Sequence, residues 1–280
     1  MIRETPLWLA IGFAVAVRLG LVVLAGLRFT VDIDLWQLLD PTWLGDDLAR
    51  SLLLMHMQPP LLNALLAVAL KMPGDWGPRF LHLVLIVTTL VSMAMIYLLL
   101  RRFGLAGVGA GVAAALYGVL PQVLMFESVY SYAPFEAMFL LVATWGAARY
   151  LEAGRLASFA GLCACLLVLA LFRSLYHVGW IAVVVLAVWG LRAHRHGRDM
   201  RALSAGLLLI AAVFSMYVKN DVLFGMRVAS TWEGIAPTQM AAPGLTPGDE
   251  VKFADAYWDV RERAARGEFS PALRSALVER

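Results

Sequence analysis

The sequence predicts an all-α polytopic membrane protein with about seven transmembrane helices. Hydrophobic residues make up 61% of the 280 residues and charged residues 15%, and the mean hydropathy is +0.75. A soluble core cannot hide so much apolar surface, and several apolar runs reach the roughly 20 residues that a helix needs to cross a bilayer. The composition therefore excludes an ordinary soluble domain, and no nucleic-acid partner is expected.

Seven apolar segments have about the length of a membrane span. They cover residues 6–27, 79–100, 105–124, 133–151, 156–172, 175–192 and 200–218. Gly104, Gly154 and Gly197 stand where these predicted helices stop, as expected for helix-terminating residues. The first segment is too long for the apolar region of a cleaved signal peptide and contains Arg18. We therefore predict that it stays in the protein as a membrane helix.

Basic residues mark alternate ends of the predicted helices. They are Arg3, Arg101, Arg102, Arg149, Arg155, Arg192, Arg195, Arg198 and Arg201. The positive-inside rule makes this end cytoplasmic, so the amino terminus is expected inside and the carboxyl terminus outside. Short loops and the absence of glycosylation sequons favour the inner membrane of a bacterium over a eukaryotic membrane.

A long loop, residues 28–78, separates the first two predicted spans. It contains "SLLLMHMQPPLLNALLAVALK", in which His56, Gln58 and a Pro-Pro pair interrupt an apolar run. The apolar part after the prolines, residues 60–72, is about 13 residues long, against the roughly 17 that a span requires as a minimum. A crossing here would also reverse the sidedness of the arginine-rich loops. We predict instead an external loop with interfacial helices, in which the prolines precede a helix start.

Two regions follow from this pattern: residues 1–220 form the membrane module, and residues 221–280 an external tail. The tail contains the Pro- and Gly-rich linker "APTQMAAPGLTPGDE". It continues with "VKFADAYWDVRERAARGEF", in which apolar residues at helical spacing alternate with charges. This spacing predicts an amphipathic helix that lies on the membrane or over the mouth of an active site.

Acidic and basic side chains are both predicted at the outer face. Glu127 follows the third span, Arg173 and His177 lie between the fifth and sixth, and Lys219 ends the seventh. Arg173 and His177 share one face if the chain stays helical there, and together they could grip a phosphate. Glu127 is either a solvated helix end or a contact to an acceptor or metal. Lys219 either snorkels to the interface or binds phosphate.

Arg18 is the one basic residue predicted in the middle of a span. A charge at this depth is expensive in lipid, so its side chain must face the bundle interior and find a partner. That partner could serve a functional site, or Arg18 could simply tie the first helix to carbonyls or to another helix. His56 and His82 do not have the spacing of a known zinc site.

The order of these features resembles the amino-terminal module of the GT-C superfamily of integral-membrane glycosyltransferases. A first helix, a long external loop with early acidic residues, the "QPPL" motif at Gln58–Leu61 and a helix that ends in "LLLRRFG" carry the resemblance. The protein O-mannosyltransferases and the bacterial aminoarabinose transferases belong to this superfamily. The resemblance covers roughly residues 6–220 and implies seven helices with an outward-facing active site.

The resemblance also implies a reaction. Enzymes of this superfamily transfer a sugar from a polyprenyl-phosphate donor to a lipid, glycan or protein acceptor, and a loop aspartate acts as base. By position this role falls to Asp34, with Asp32 as its companion, but the pair reads Asp-Ile-Asp instead of two adjacent acids, and Asp40 is a rival. His56, Gln58 and Glu127 are expected near the acceptor, and Arg173, His177 and Lys219 near the donor phosphate. A divalent metal, Mg or Mn, sometimes assists.

Two other functions are compatible with the sequence. A flippase or transporter of lipid-linked substrates would also contain an intramembrane arginine and polar helix ends, although no inverted repeat is evident. A non-catalytic scaffold subunit would keep the fold without an acidic site. Because the chain stops where larger relatives continue, a partner subunit is also conceivable.

Overall fold

The computed structural model describes residues 4–28, 38–39, 41–56 and 58–230, and all regular structure in these ranges is α-helical. In chain order the helices are α1 Thr5–Leu24, α2 Pro41–Asp46, α3 Leu48–Leu54, α4 Leu61–Leu70, α5 Trp76–Arg102, α6 Gly107–Val119, α7 Pro121–Glu127, α8 Ala133–Ala153, α9 Leu156–Phe172, α10 Val178–His196 and α11 Met200–Phe224. The predicted all-α class is confirmed for this part of the chain. The tail prediction for residues 231–280 lies outside the described residues.

Four helices, α1, α5, α10 and α11, are long and apolar enough to cross a membrane. The pair α6 and α7 forms a fifth candidate, bent by 52°. The described part of the chain therefore has four or five candidate spans, as expected for an integral membrane protein. Seven spans would additionally require α8, which contains Glu136, Arg149 and Glu152, and α9, which has 17 residues.

The predicted third span is not one straight helix. Residues 105–124 divide into α6 and α7 at Leu120, the extended residue before Pro121. Proline has no amide hydrogen to donate and excludes the helical conformation from the residue before it, which explains the break. The break turns α7 aside and brings Glu127, at its end, toward α1.

Other boundaries also differ from the prediction. Helix α10 begins at Val178 instead of residue 175, because Arg173 to His177 form a turn. Helix α11 continues past residue 218 to Phe224, where Gly225 adopts a left-handed conformation with φ of +69°. Glycine tolerates this conformation and commonly ends helices. The longer α11 carries Lys219 and Asn220 as helical residues.

The predicted external loop contains three short helices, α2, α3 and α4. Helix α4 has 10 residues, which correspond to about 15 Å, half the hydrocarbon thickness. It begins directly after Pro59 and Pro60, in agreement with the predicted role of the prolines. Its length therefore does not allow a further crossing.

Three clusters of buried apolar side chains hold the helices together. One lies among α8, α9, α10 and α11 around Phe159 and Val185, and another among α1, α5 and α6 around Ala14 and Met93. The third joins the loop helices to the bundle through residues such as Leu62. Large apolar side chains on α1, α10 and α11 stay exposed, as expected for helices that face lipid.

Hydrogen bonds define two ends of this bundle. At the loop end, Tyr130 Oη donates to Leu62 O at 2.7 Å, which ties α4 to the segment between α7 and α8. At the basic end, Arg102 on α5 and Arg192 on α10 both reach the end of α8. The predicted cytoplasmic arginines and the predicted external loop therefore lie at opposite ends.

Candidate functional site

The three predicted catalytic acids, Asp32, Asp34 and Asp40, lie outside the described residues, so their roles stay predictions. Their flanking chain is held at the loop end: Leu39 N donates to Asn63 Oδ1 at 2.8 Å. Asn63 is fully buried on α4, and its amide faces Met55 Sδ at 3.4 Å. The buried amide thus joins the acidic loop to the segment that precedes the Pro-Pro pair.

Lys219 contacts this same segment. Its ammonium donates to Met55 O at 2.6 Å, and among the described residues it has no ion pair with a carboxylate. Snorkelling would turn the ammonium toward water, whereas here it bonds to the loop backbone. An ammonium has three donors, and within the described part of the chain only this one bond is formed by Lys219, which leaves two donors unused by those residues.

His56 lies beside Lys219 and packs against α11. Its ring centre is 4.7 Å from that of Phe224, and its buried Nδ1 has no hydrogen-bond partner in the described chain. Burial, and secondly the charge of Lys219, lower the pKa of His56 from 6.5 to about 4. His56 is therefore neutral near pH 7 and can exchange hydrogen bonds with a ligand, but it adds no positive charge.

Gln58 follows at the start of the Pro-Pro turn. Its side chain is partly buried, and no hydrogen bond joins it to another described residue. The amide can both donate and accept. Gln58 lies directly before Pro59 and Pro60, which precede α4, and its place near the acceptor stays a prediction.

Arg173 is paired at the loop end, but not with His177. Its Nη1 donates to both carboxylate oxygens of Glu136, each at 3.1 Å, and its guanidinium lies 4.4 Å from the ring centre of Tyr132. Glu136 belongs to the first turn of α8 and was missed in the sequence. The available signal was a single acid in the first turn, followed by a largely apolar run that continues to Ala148.

The condition for a shared helical face of Arg173 and His177 is not met. Helix α9 ends at Phe172 and α10 begins at Val178, so the four-residue spacing is not helical here. His177 is the N-cap of α10: its Nδ1 accepts a hydrogen bond from Trp180 N at 3.2 Å. The exposed Nε2 is the only ring nitrogen left for a ligand, so His177 is primarily a capping residue.

Glu127 is buried and ion-paired instead of solvated. The carboxylate is 3% exposed and accepts from Arg18 Nη2 at 2.6 Å and from Arg18 Nε at 2.8 Å. Arg18 Nη1 donates in addition to Ala14 O at 2.9 Å. The predicted requirement for an interior partner of Arg18 is confirmed. For Glu127 the solvated helix end is wrong, since the carboxylate is buried in an ion pair, and its contact to an acceptor or metal stays a prediction.

The described residues form no group of three or more His, Cys, Asp or Glu side chains that could hold a metal ion. The predicted loop acids fall outside that set. Among the described residues of the loop end, three side chains could meet an anion. Lys219 is a cation with a single hydrogen bond, His56 is neutral, and Arg173 shares its donors with the Glu136 carboxylate. Such a set can bind an anionic headgroup at the membrane surface.

Comparison with models of protein families, with characterised proteins and with solved structures found no match to the chain.

Proposed function

We propose that the protein is a glycosyltransferase of the GT-C type, with seven membrane spans, that transfers a sugar from a polyprenyl-phosphate donor to an acceptor at the outer face of a bacterial inner membrane. The acceptor hydroxyl gives its proton to Asp34 or Asp40 and attacks the anomeric carbon of the donor. The bond between that carbon and the phosphate oxygen breaks, and the polyprenyl phosphate leaves with the electron pair.

One observation carries the proposal: the 2.6 Å hydrogen bond from Lys219 Nζ to Met55 O. It brings a cation of α11 to Met55, the residue directly before "HMQPPL", the segment that resembles the superfamily motif. Negative charge develops on the departing phosphate, and a positive group fixed next to it stabilises the transition state. Lys219 has donors left for this role, and His56 can add a neutral hydrogen bond.

Arg173 is the second candidate for the donor phosphate. Its side chain is 35% exposed, so part of the guanidinium faces out of the protein. Glu136 and Tyr132 hold the group in one orientation, and the donors that Glu136 does not use remain available. A planar guanidinium can offer a phosphate two parallel hydrogen bonds, which a lysine cannot.

The testing experiment is transfer from a panel of radiolabelled polyprenyl-phosphate sugars in proteoliposomes. We expect transfer by the unaltered chain and loss by about a hundredfold or more in Asp34→Asn or Asp40→Asn, the scale of a lost general base. Asp75→Asn is the matched control, because Asp75 is an exposed loop carboxylate that makes no capping hydrogen bond.

Lys219→Gln tests the phosphate role separately. We expect kcat/KM to fall by about a hundredfold or more, the scale for removal of one stabilising donor. Lys71→Gln changes an exposed lysine at the end of α4 and should alter it little. If no donor is consumed, or if both aspartate variants match the unaltered chain at equal folded yield, the transferase proposal is wrong. Scrambling of a labelled lipid donor in the same vesicles would then favour the flippase.

A further inference from the structure

A basic cleft lies at the end of the bundle opposite the candidate site. It has a volume of about 500 Å³ and lies between the turn that joins α8 to α9 and the turn that joins α10 to α11. The polar side chains that line it are Arg192, His196, Arg198, Asp199 and Arg201. Three arginines thus face one aspartate in a single opening.

The aspartate does not neutralise these arginines with its side chain. Asp199 caps α11, and its Oδ1 accepts from Arg201 N at 3.1 Å and from Ala202 N at 3.2 Å. The nearby carboxylate of Glu152 is engaged by Arg102. Within the described ranges, Arg198 and Arg201 form no ion pair, so the cleft keeps an excess of positive charge.

The frame of the cleft is fixed by hydrogen bonds. Trp189 Nε1 donates to Asp199 O at 2.9 Å and holds the α10–α11 turn. Arg192 Nη1 donates to Leu151 O at 3.0 Å and to Glu152 O at 3.1 Å, which ties α10 to the end of α8. Its guanidinium packs directly on Gly154, where a Cβ would collide with it. The lining therefore does not depend on freely moving surface side chains alone.

The surroundings indicate which anion the cleft takes. Both α10 and α11 are candidate membrane spans, and Leu191, Met200, Leu207 and Leu208 on them are exposed apolar side chains. Met200 also lines the cleft. A ligand with a phosphate at the cleft can thus extend acyl chains along an apolar surface, which a free phosphate cannot do.

We propose that this cleft binds the phosphodiester headgroup of an anionic membrane lipid, with Arg198 and Arg201 as the main charged contacts. Basic pockets between helices at the cytoplasmic face recognise such headgroups through charge and hydrogen bonds. The site is separate from the proposed transferase site and does not require it. Its partner is a lipid of the inner leaflet, not the polyprenyl-phosphate donor at the loop end.

The test is binding of phosphatidylglycerol with a fluorescent acyl chain to the purified full chain in neutral detergent, at about 0.15 M ionic strength. Phosphatidylcholine with the same chain is the headgroup control. We expect Arg198→Gln with Arg201→Gln to weaken phosphatidylglycerol binding by about tenfold or more. The matched control is Arg155→Gln with Arg195→Gln, which removes the same charge from exposed residues outside the lining.

The control variant is expected to change the affinity less than about twofold, since its side chains are exposed outside the lining and salt screens charges that make no direct contact. Equal weakening by both double variants would overturn the proposal, because a general positive surface would then explain binding. Equal affinity for phosphatidylcholine would also overturn it. Displacement of the lipid by millimolar inorganic phosphate would show that the cleft binds free phosphate and would contradict the proposal of a lipid site. The melting temperature of each variant, measured in parallel, identifies any loss of folding.

Discussion

Arg18 and Glu127, 109 positions apart in the chain, form a buried ion pair with two hydrogen bonds of 2.6 and 2.8 Å. Arg18 lies 13 residues into α1, about 20 Å along the helix. Each charge alone would be costly in lipid, and each satisfies the other. The break at Pro121 makes the contact possible, because it turns α7 toward α1.

Breaking the pair should destabilise the protein more than removing it entirely. We expect Arg18→Met or Glu127→Leu alone to cost about 3–5 kcal/mol of unfolding free energy, because each leaves an uncompensated buried charge. The double variant should recover most of this loss. Reversible unfolding in detergent measures the unfolding free energies of the unaltered chain, the two single variants and the double variant. A double variant that is as unstable as the sum of the singles would exclude a direct interaction.

His56 should make stability depend on pH. Its folded-state pKa of about 4 lies below the ordinary 6.5, so between these values the unfolded state binds more protons and stability falls as the pH falls. The full loss is about 3 kcal/mol below pH 4. Above pH 6.5 His56 is neutral in both states and contributes no slope.

His56→Phe should remove this contribution from the unfolding free energy measured between pH 4 and 7. His177→Phe is a poor control because it deletes the cap of α10, whereas His194→Gln changes an exposed histidine at the basic end. The same slope in the His56→Phe variant would assign the pH dependence to other groups.

Glu136 and a donor phosphate compete for Arg173 if the proposed function holds. Glu136→Gln should therefore lower the apparent KM for the donor several-fold, while Arg173→Lys should raise it by about tenfold, since a point charge replaces a two-donor fork. Steady-state transfer at varied donor concentration measures both. A KM that rises in Glu136→Gln instead of falling would indicate that Glu136 itself contacts the donor or its sugar.

Glycine allows α6 to approach α1 closely. A Cβ at Gly111 would lie 2.9 Å from Pro6 Cβ and 3.0 Å from Pro6 O, so Gly111→Ala should lower stability by about 1–3 kcal/mol through overpacking. Gly12→Ala is the control: nothing lies within 4 Å of its Cβ position, and it should raise stability by about 0.5–1 kcal/mol through helix propensity. Thermal unfolding distinguishes the two. Equal effects would mean that α1 and α6 are less closely packed.

Much of the helix pattern could be predicted because apolar length and glycine positions are local properties. The seven predicted segments each correspond to a helix or to the bent pair, and Gly154 and Gly197 end helices with positive φ. The predicted helix boundaries were wrong where a tertiary or capping contact determines where the helix begins or ends. The turn from Arg173 to His177 is set by the capping of α10, and the continuation of α11 to Phe224 accompanies burial of Asn220, whose amide donates to Val228 O and Ala229 O.

The sequence by itself determined the membrane class and the short α4, because hydropathy and length are properties of single segments. The tertiary structure alone decided the partners: Glu127 for Arg18, Glu136 for Arg173 and Met55 O for Lys219. Hydrogen bonds form only at about 3 Å. The packing of the helices brings segments that are distant in the chain to this distance, and it therefore determines which charged groups become partners.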